Sequence, residues 1–303
     1  MRRFFAFAMA LTAAALLAAA GCGGPTTLRV ALRSDTRFSL SGISALEDGS
    51  AFAVGEDGVV LRMEPGGAWR EEPAATSHDL VGVFALDAAH VWAVGSAGTI
   101  LFYDGTSWMP QDSGTEVELT GVTATDPDHA WACGWGEEVL FFDGERWTRQ
   151  HQGMASLRGI AAADPDHVWA VGSNGTILFY DGGSWSRQDS ETTVELTGVC
   201  VGDGGAWACG LAGRLLEFRG AWRTVRSGDE MFRGIARSGD GTLWVVGYQD
   251  FTFSTDPGSV VLRLDGGWMG LEVPEGLYPT GVSTSGGGVW VCGLGGVVWG
   301  EAL

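Results

Sequence analysis

Residues 91–122 and 168–199 are two copies of one phrase. They open VWAVGSAGTILFYDG and VWAVGSNGTILFYDG, and 26 of their 32 positions are identical. The copies lie 77 residues apart, and a diverged third, HAWACGWGEEVLFFDGERW at 129–147, stands between them. Self-similarity at a fixed period constrains a fold more than local propensity does, because each unit must bury its faces against its neighbours. Following the phrase outward gives a recurring glycine at Gly42, Gly82, Gly121, Gly159, Gly198, Gly234 and Gly281, at spacings of 36 to 47 residues. An aromatic follows each glycine: Phe52, Trp92, Trp131, Trp169, Trp207, Trp244 and Trp290. A second tryptophan closes each unit at Trp69, Trp108, Trp147, Trp185, Trp222 and Trp268, so the first two signals occur seven times and the last six times.

Each unit reads as four short strands. In the fourth they are LRGIAAA, VWAVG, TILFYDG and SWSRQ, broken by DPDH, SNG and DGG. Runs rich in Val, Ile, Trp, Phe and Tyr, divided by Gly, Asp, Asn and Pro, are strand and turn signals. No helical periodicity follows residue 25. The 49 glycines of this 303-residue chain are about twice the usual share and fit many turns. The expected fold is all-β, a seven-bladed β-propeller with four-stranded blades. The seventh repeat ends in GVVWGEAL, without a fourth strand. Elsewhere the closing tryptophan precedes the next glycine by 12 or 13 residues, and that count from Gly42 lands on Arg29 or Val30. Residues 27–33 are therefore expected to complete the C-terminal blade, which closes the ring and removes an exposed sheet edge.

Two resemblances add to this reading. The turns Asp104-Gly105 to Trp108, Asp143-Gly144 to Trp147 and Asp181-Gly182 to Trp185 resemble the Asp-box of BNR-type repeats, with Phe102, Phe141 and Phe179 where that box usually has Ser or Thr. The VWAVG-x-x-GTIL phrase is similar to repeats of the photosystem II assembly-factor type of seven-bladed propeller and of related bacterial envelope lipoproteins. The likeness covers residues 42–303 and is strongest in repeats two to four. It implies a binding scaffold whose usual binding face carries two sets of loops. These join strand four to the next strand one, and strand two to strand three; the Asp-box turns lie on the opposite face. A fold alone assigns no function.

The first residues read differently. Met1-Arg2-Arg3 is a short basic start, and Phe4 to Ala20 is apolar and rich in alanine. This is the layout of a secretory signal peptide, and the run is short for a permanent membrane span. Ala19-Ala20-Gly21-Cys22 resembles a bacterial lipobox, with Ala19 where leucine is usual. The expected organisation is a signal peptide at 1–21, lipidation of Cys22, a tether at 22–26 and one propeller at 27–303. Gly23 and Gly24 carry no acidic retention signal, so the outer membrane is expected over the inner, with simple secretion as the alternative. The chain has 18 basic residues, none of them lysine, against 37 acids, a net charge of −19. That balance excludes nucleic acid, which needs clustered basic side chains, and disfavours direct binding to anionic lipid. The lipid at Cys22 is then the membrane contact, and the chain is expected to be monomeric.

Two turns depart from the repeat. After strand two of repeat six the chain expands to YQDFTFSTDPG at 248–258, which places Tyr248, Asp250, Phe251, Phe253 and Asp256 on the expected binding face. Long loops on rigid scaffolds are common sites of function. In repeat three the same turn reads WGEE, with Trp135, Glu137 and Glu138 projecting there as a contact surface or a solvated acidic turn. Arg158 and Arg233 replace Thr120 and Thr197 at the start of strand one, near the channel mouth, with Arg37 on the equivalent face. Three arginines, with Tyr278 and Glu275, resemble the carboxylate clamp and nucleophile pair of sialidases, but not at that family's spacing. His90, His129 and His167 occupy one turn of three successive repeats. They read as turn residues bonded to local backbone, because such positions lie too far apart to share a metal at about 2.0–2.1 Å. Cys133, Cys209 and Cys292 stand where other repeats have valine and read as small core side chains. Cys200 and Cys209, on adjacent strands, are either thiols or a disulfide. The GLGG run at 293–296 lacks the following helix of a phosphate cradle. No metal and no cofactor are implied. The expected function is non-enzymatic recognition of a protein partner. The alternatives are a glycan- or peptidoglycan-binding module and a sialidase-like or other glycoside-acting hydrolase or lyase at the central channel.

Overall fold

The computed structural model describes residues 32–33, 38–249, 258–264, 267–271, 278–285, 288–294 and 297–302. Their regular structure is strand, apart from single 3-10 turns at 56–58, 96–98, 135–137 and 173–175. Six blades are each built from four consecutive antiparallel strands. Blade one is Leu40–Ala45, Ala51–Gly55, Val60–Met63 and Trp69–Glu72; blade two is Leu80–Asp87, His90–Gly95, Ile100–Tyr103 and Trp108–Gln111. Blade three is Leu119–Asp126, His129–Gly134, Val139–Phe142 and Trp147–His151; blade four is Leu157–Asp164, His167–Gly172, Ile177–Tyr180 and Trp185–Gln188. Blade five is Leu196–Gly202, Gly205–Gly210, Leu215–Phe218 and Trp222–Arg226; blade six is Glu230–Arg237, Leu243–Gln249, Ser259–Leu264 and Trp268–Gly270. The expected seven blades are therefore six of this kind, and the remaining sheet is composite. It joins Pro279–Ser285, Gly288–Gly293 and Val297–Ala302 to the two-residue strand Leu32–Arg33. There Leu32 lies opposite Val298 and Arg33 opposite Val297. The rest of the expected closing segment, with the signal peptide, Cys22 and the tether, lies outside the described residues.

The first strand of each blade packs on the first strand of the next, and that of the composite sheet packs on blades six and one. These inner strands carry the recurring glycines, whose purpose is now visible. A Cβ on Gly159 would lie 3.1 Å from the Cα of Gly198, and one on Gly82 would lie 3.2 Å from the Cα of Gly121. Any side chain at these places would push neighbouring blades apart around the axis. A register shift just before the glycine recurs in every sheet. It leaves Ser41, Val81, Thr120, Arg158, Thr197, Arg233 or Thr280 as the bulged residue, and bulges re-aim side chains.

The core lies between blades. One cluster joins Trp92, Val94 and Ile100 of blade two to Leu119, Leu140 and Trp147 of blade three. Polar bonds stitch the same junctions. Trp147 Nε1 donates to Gln111 Oε1 at 2.7 Å, Trp185 to Gln150 at 3.1 Å and Trp222 to Gln188 at 2.7 Å, each on the preceding blade. The bulged threonines reach the other way. Thr120 donates to Leu157 O at 3.0 Å, Thr197 to Phe232 O at 2.8 Å, and Thr280 to Leu40 O at 2.7 Å. In each of these three sheets the valine of strand two is a cysteine: Cys133, Cys209 or Cys292, all fully buried. Burial pushes the thiols of Cys133 and Cys209 up to about 12 and that of Cys292 to about 11. They serve as small core side chains. Cys200 and Cys209 are free thiols, opposite Trp207 and Gly198 respectively. Among the described residues no helix is long and apolar enough to cross a membrane.

Candidate binding surface

The turn between strands two and three follows one pattern in most blades. It ends in a left-handed residue and a glycine, such as Ala97-Gly98 in blade two. That glycine is obligatory, since a Cβ on Gly98 would lie 2.0 Å from Thr115 O of the loop that follows the blade. Blade three breaks the pattern. Its turn is Trp135-Gly136-Glu137, with Gly136 at φ 69° and Glu137 at φ 53°. The glutamate occupies the glycine's place beside a following loop, HQGMAS, that is one residue shorter than its counterpart DSGTEVE in blade two. A Cβ on Gly153 would lie 2.6 Å from Glu137 Oε2.

Glu137 and Glu138 therefore do not project into solvent, which corrects the reading of WGEE as an exposed acidic turn. Both are buried. Glu137 accepts from Ala155 N at 3.1 Å, Met154 N at 3.2 Å, His151 Nε2 at 3.3 Å and Arg187 Nη2 at 2.6 Å. Arg187 belongs to the outer strand of blade four, so this carboxylate locks two blades and one loop together. Burial would raise its pKa. The Ala155 amide, His151 and the Arg187 charge outweigh that and hold it below the usual carboxylate range. Glu138 pairs with Arg149 Nη2 at 3.0 Å. Above this network Trp135 is 46% exposed and Met154 99% exposed. Their segments are tied by the Gly153 N–H donating to Gly136 O at 2.9 Å, and the Trp135 N–H donates to Glu118 O at 3.0 Å. Two large apolar side chains thus stand in water on a fixed backbone.

The other expected site residues disperse. Arg158 Nε pairs with Glu195 Oε1 of the loop after blade four at 2.8 Å. Arg233 donates from Nε to Tyr248 Oη at 2.9 Å and also from Nη2, with its guanidinium 5.2 Å from the ring centroid. Both arginines sit at bulges two blades apart, each engaged locally, and no contact joins them. Tyr248 does not begin a turn. Strand two of blade six runs on to Gln249, with Tyr248 opposite Ser259 and the Gln249 N–H donating to Gly258 O at 2.9 Å. The expected contact residues Asp250, Phe251, Phe253 and Asp256 lie outside the described residues, as do Arg37 and Glu275.

On the opposite face the DG-x-x-W turns are closed by their aspartates. Asp104 Oδ1 accepts from Thr106 N and Ser107 N at 2.8 and 2.9 Å, and Asp143 and Asp181 repeat the arrangement. The histidines bond carboxylates rather than backbone: His90 Nδ1 to Asp87 at 2.9 Å, His129 to Asp126 and His167 to Asp164 at 2.8 Å. Among the described residues no three of His, Cys, Asp and Glu come together as metal ligands. Blade five departs here. Gly205 stands where blades two to four have histidine, because a Cβ would lie 2.8 Å from Phe218 O. Cavities of ≈ 460 Å³ and ≈ 340 Å³ flank it, the first lined by Asp164, His167, Trp169 and Asp203, the second by Asp203, Trp207, Arg219 and Arg237. Three pairs of their charged groups are engaged with each other: His167 with Asp164, Arg219 with Glu217 and Arg237 with Asp203. These two concavities lie on the face opposite the expected one. The sequence signal was the GDGG and FRGAW turns of repeat five.

No family model matches the chain, and no curated relative matches it. Solved structures do. "YCF48 bound to D1 peptide" is 16% identical with a TM-score of 0.71, over 90% of this chain and 94% of that one. The WD40 β-propeller domain of Doa1 is 12% identical with a TM-score of 0.78, over 91% and 97%. Virginiamycin B lyase from Staphylococcus aureus is 12% identical with a TM-score of 0.71, over 91% and 99%. At such identities the likeness establishes the fold alone: this chain is an all-β propeller of four-stranded antiparallel blades.

Proposed function

We propose that this chain is a non-enzymatic scaffold that recognises a protein partner. The partner would meet the face formed by the turns between strands two and three and the loops between blades. The observation that carries the reading is the exposed Trp135–Met154 pair held on a buried carboxylate network. Exposed aromatic and apolar anchors dominate protein interfaces, and here the backbone that carries them is already ordered before binding. A solved propeller of similar fold is described with a bound peptide, which is in keeping with it. A solved lyase also has a similar fold, and a fold alone assigns no function. Here the histidines, Glu137, Glu138, Arg158 and Arg233 are each committed to neighbours. In the same reading the composite sheet is a seventh blade, closed by residues 27–33, and the DG-x-x-W turns are Asp-boxes of the BNR type. Cys22 would carry the lipid that holds the chain at the bacterial envelope, on the outer membrane rather than the inner. The net charge of −19 favours partners with basic patches.

The test is capture from detergent-solubilised envelope on the immobilised chain. We expect a protein retained by the wild type and lost by the double variant Trp135→Ala, Met154→Ala, and Cys22→Ser should leave the membrane fraction. Identical capture by wild type and double variant would remove the scaffold reading at this face. Substituting 248–258 by a short Gly-Ser turn reports separately on that loop.

A further inference from the structure

We infer that the blade three–four junction takes an apolar segment flanked by basic residues in a partner protein. This rests on the scaffold reading above and names the chemistry of its partner. Two independent features meet here. The first is the apolar pair itself, Trp135 at 46% exposure and Met154 at 99%. The second is the charge on either side. The loop before blade three carries Asp112, Glu116 and Glu118, and the loop after blade four carries Asp189, Glu191 and Glu195. Glu195 is paired with Arg158, and the other five form no ion pair among the described residues. The loop between these two, HQGMAS, has no acid at all. An apolar centre between two acidic rims is complementary to an apolar centre between two basic rims.

The two features divide the work. The apolar pair supplies affinity, because burying it removes surface from water around a fixed backbone. The carboxylates supply steering and orientation, since exposed charges in water act mainly on the rate of encounter and the choice of partner. An anionic lipid or nucleic acid would meet the same carboxylates as repulsion.

The probe is a fluorescent peptide with a Leu-Phe-Leu centre and arginines on both sides, titrated against the full chain in detergent and read by anisotropy. A peptide with glutamates in place of the arginines and an uncharged glucan oligosaccharide are the comparison ligands. We expect the basic peptide to bind. Trp135→Ala with Met154→Ala should weaken it about tenfold or more. Glu116→Gln with Glu191→Gln should weaken it at low salt and flatten its salt dependence. All four side chains are exposed, and melting curves would confirm that the variants fold. Equal binding by the wild type and the Trp135, Met154 variant would mean diffuse attraction to an acidic surface and would overturn the inference. So would binding of the glucan with none of the peptide. If the peptide fails while envelope capture still depends on Trp135 and Met154, the scaffold reading stands and only the partner chemistry falls. If capture is also indifferent to them, both fall.

Discussion

Glu137 shows how much a single residue can hide. The departure WGEE was legible as a departure, because its neighbours in the repeat read S-x-G-T. Its sorting into one exposed and two buried side chains was not. That depends on Gly153 and Arg187, which lie 16 and 50 residues away in sequence. Met154 is marked in the sequence only by the shortened HQGMAS loop and the 38-residue spacing from Gly121 to Gly159. The native carboxyl of Glu137 titrates below the ordinary glutamate range. Its stabilisation is therefore complete above that range and is lost as pH falls through the native value. Glu137→Gln should cost about 2 kcal/mol at neutral pH, discounted for the half-exposed Arg187. Urea unfolding at a series of pH values should show the difference from wild type narrowing below about pH 4. A constant difference would mean that shape matters there and charge does not.

At the scale of the element, the outer strands repeat Trp-x-x-Gln at 108–111, 147–150 and 185–188. The motif is plain in the sequence but its meaning is not, since each glutamine accepts from the tryptophan of the next blade. Blade five has Val225 at that position, and Trp268 of blade six is left 37% exposed. Gln188→Ala should cost about 1–2 kcal/mol, because it strands the buried indole N–H of Trp222. Val225→Ala, which removes no such partner, should cost much less. Chemical denaturation of the two variants checks this, and equal losses would deny the bond its role. The bulged threonines follow the same logic. Thr120, Thr197 and Thr280 accompany Cys133, Cys209 and Cys292 in alternate sheets, a covariation visible in the chain whose purpose appears only when the next blade's carbonyl is in place.

At the scale of the molecule, the ring depends on a short pairing. Leu32 and Arg33 pair with Val298 and Val297 at the edge of the strand Val297–Ala302, and an uncovered edge is a row of unpaired backbone groups. Deleting residues 26–34 should lower the melting temperature by about 5 °C or more and promote association through the freed edge. Calorimetry with light scattering would show it, and an unchanged melt would mean that the ring is held without that strand. The repeat period, the strand content and the ring itself were determined by the sequence, because a unit of about 40 residues with four short strands has few ways to bury its faces. The candidate contact surface was decided only by tertiary structure. Which of Trp135, Glu137 and Glu138 meets solvent, why glycine recurs beside the axis, and where Arg158 and Arg233 spend their charge all depend on atoms of the adjoining blade. Side-chain pattern along one strand carries the fold, whereas the exposure of a turn is set by whatever crosses it, and in a ring of blades that neighbour is far away in sequence.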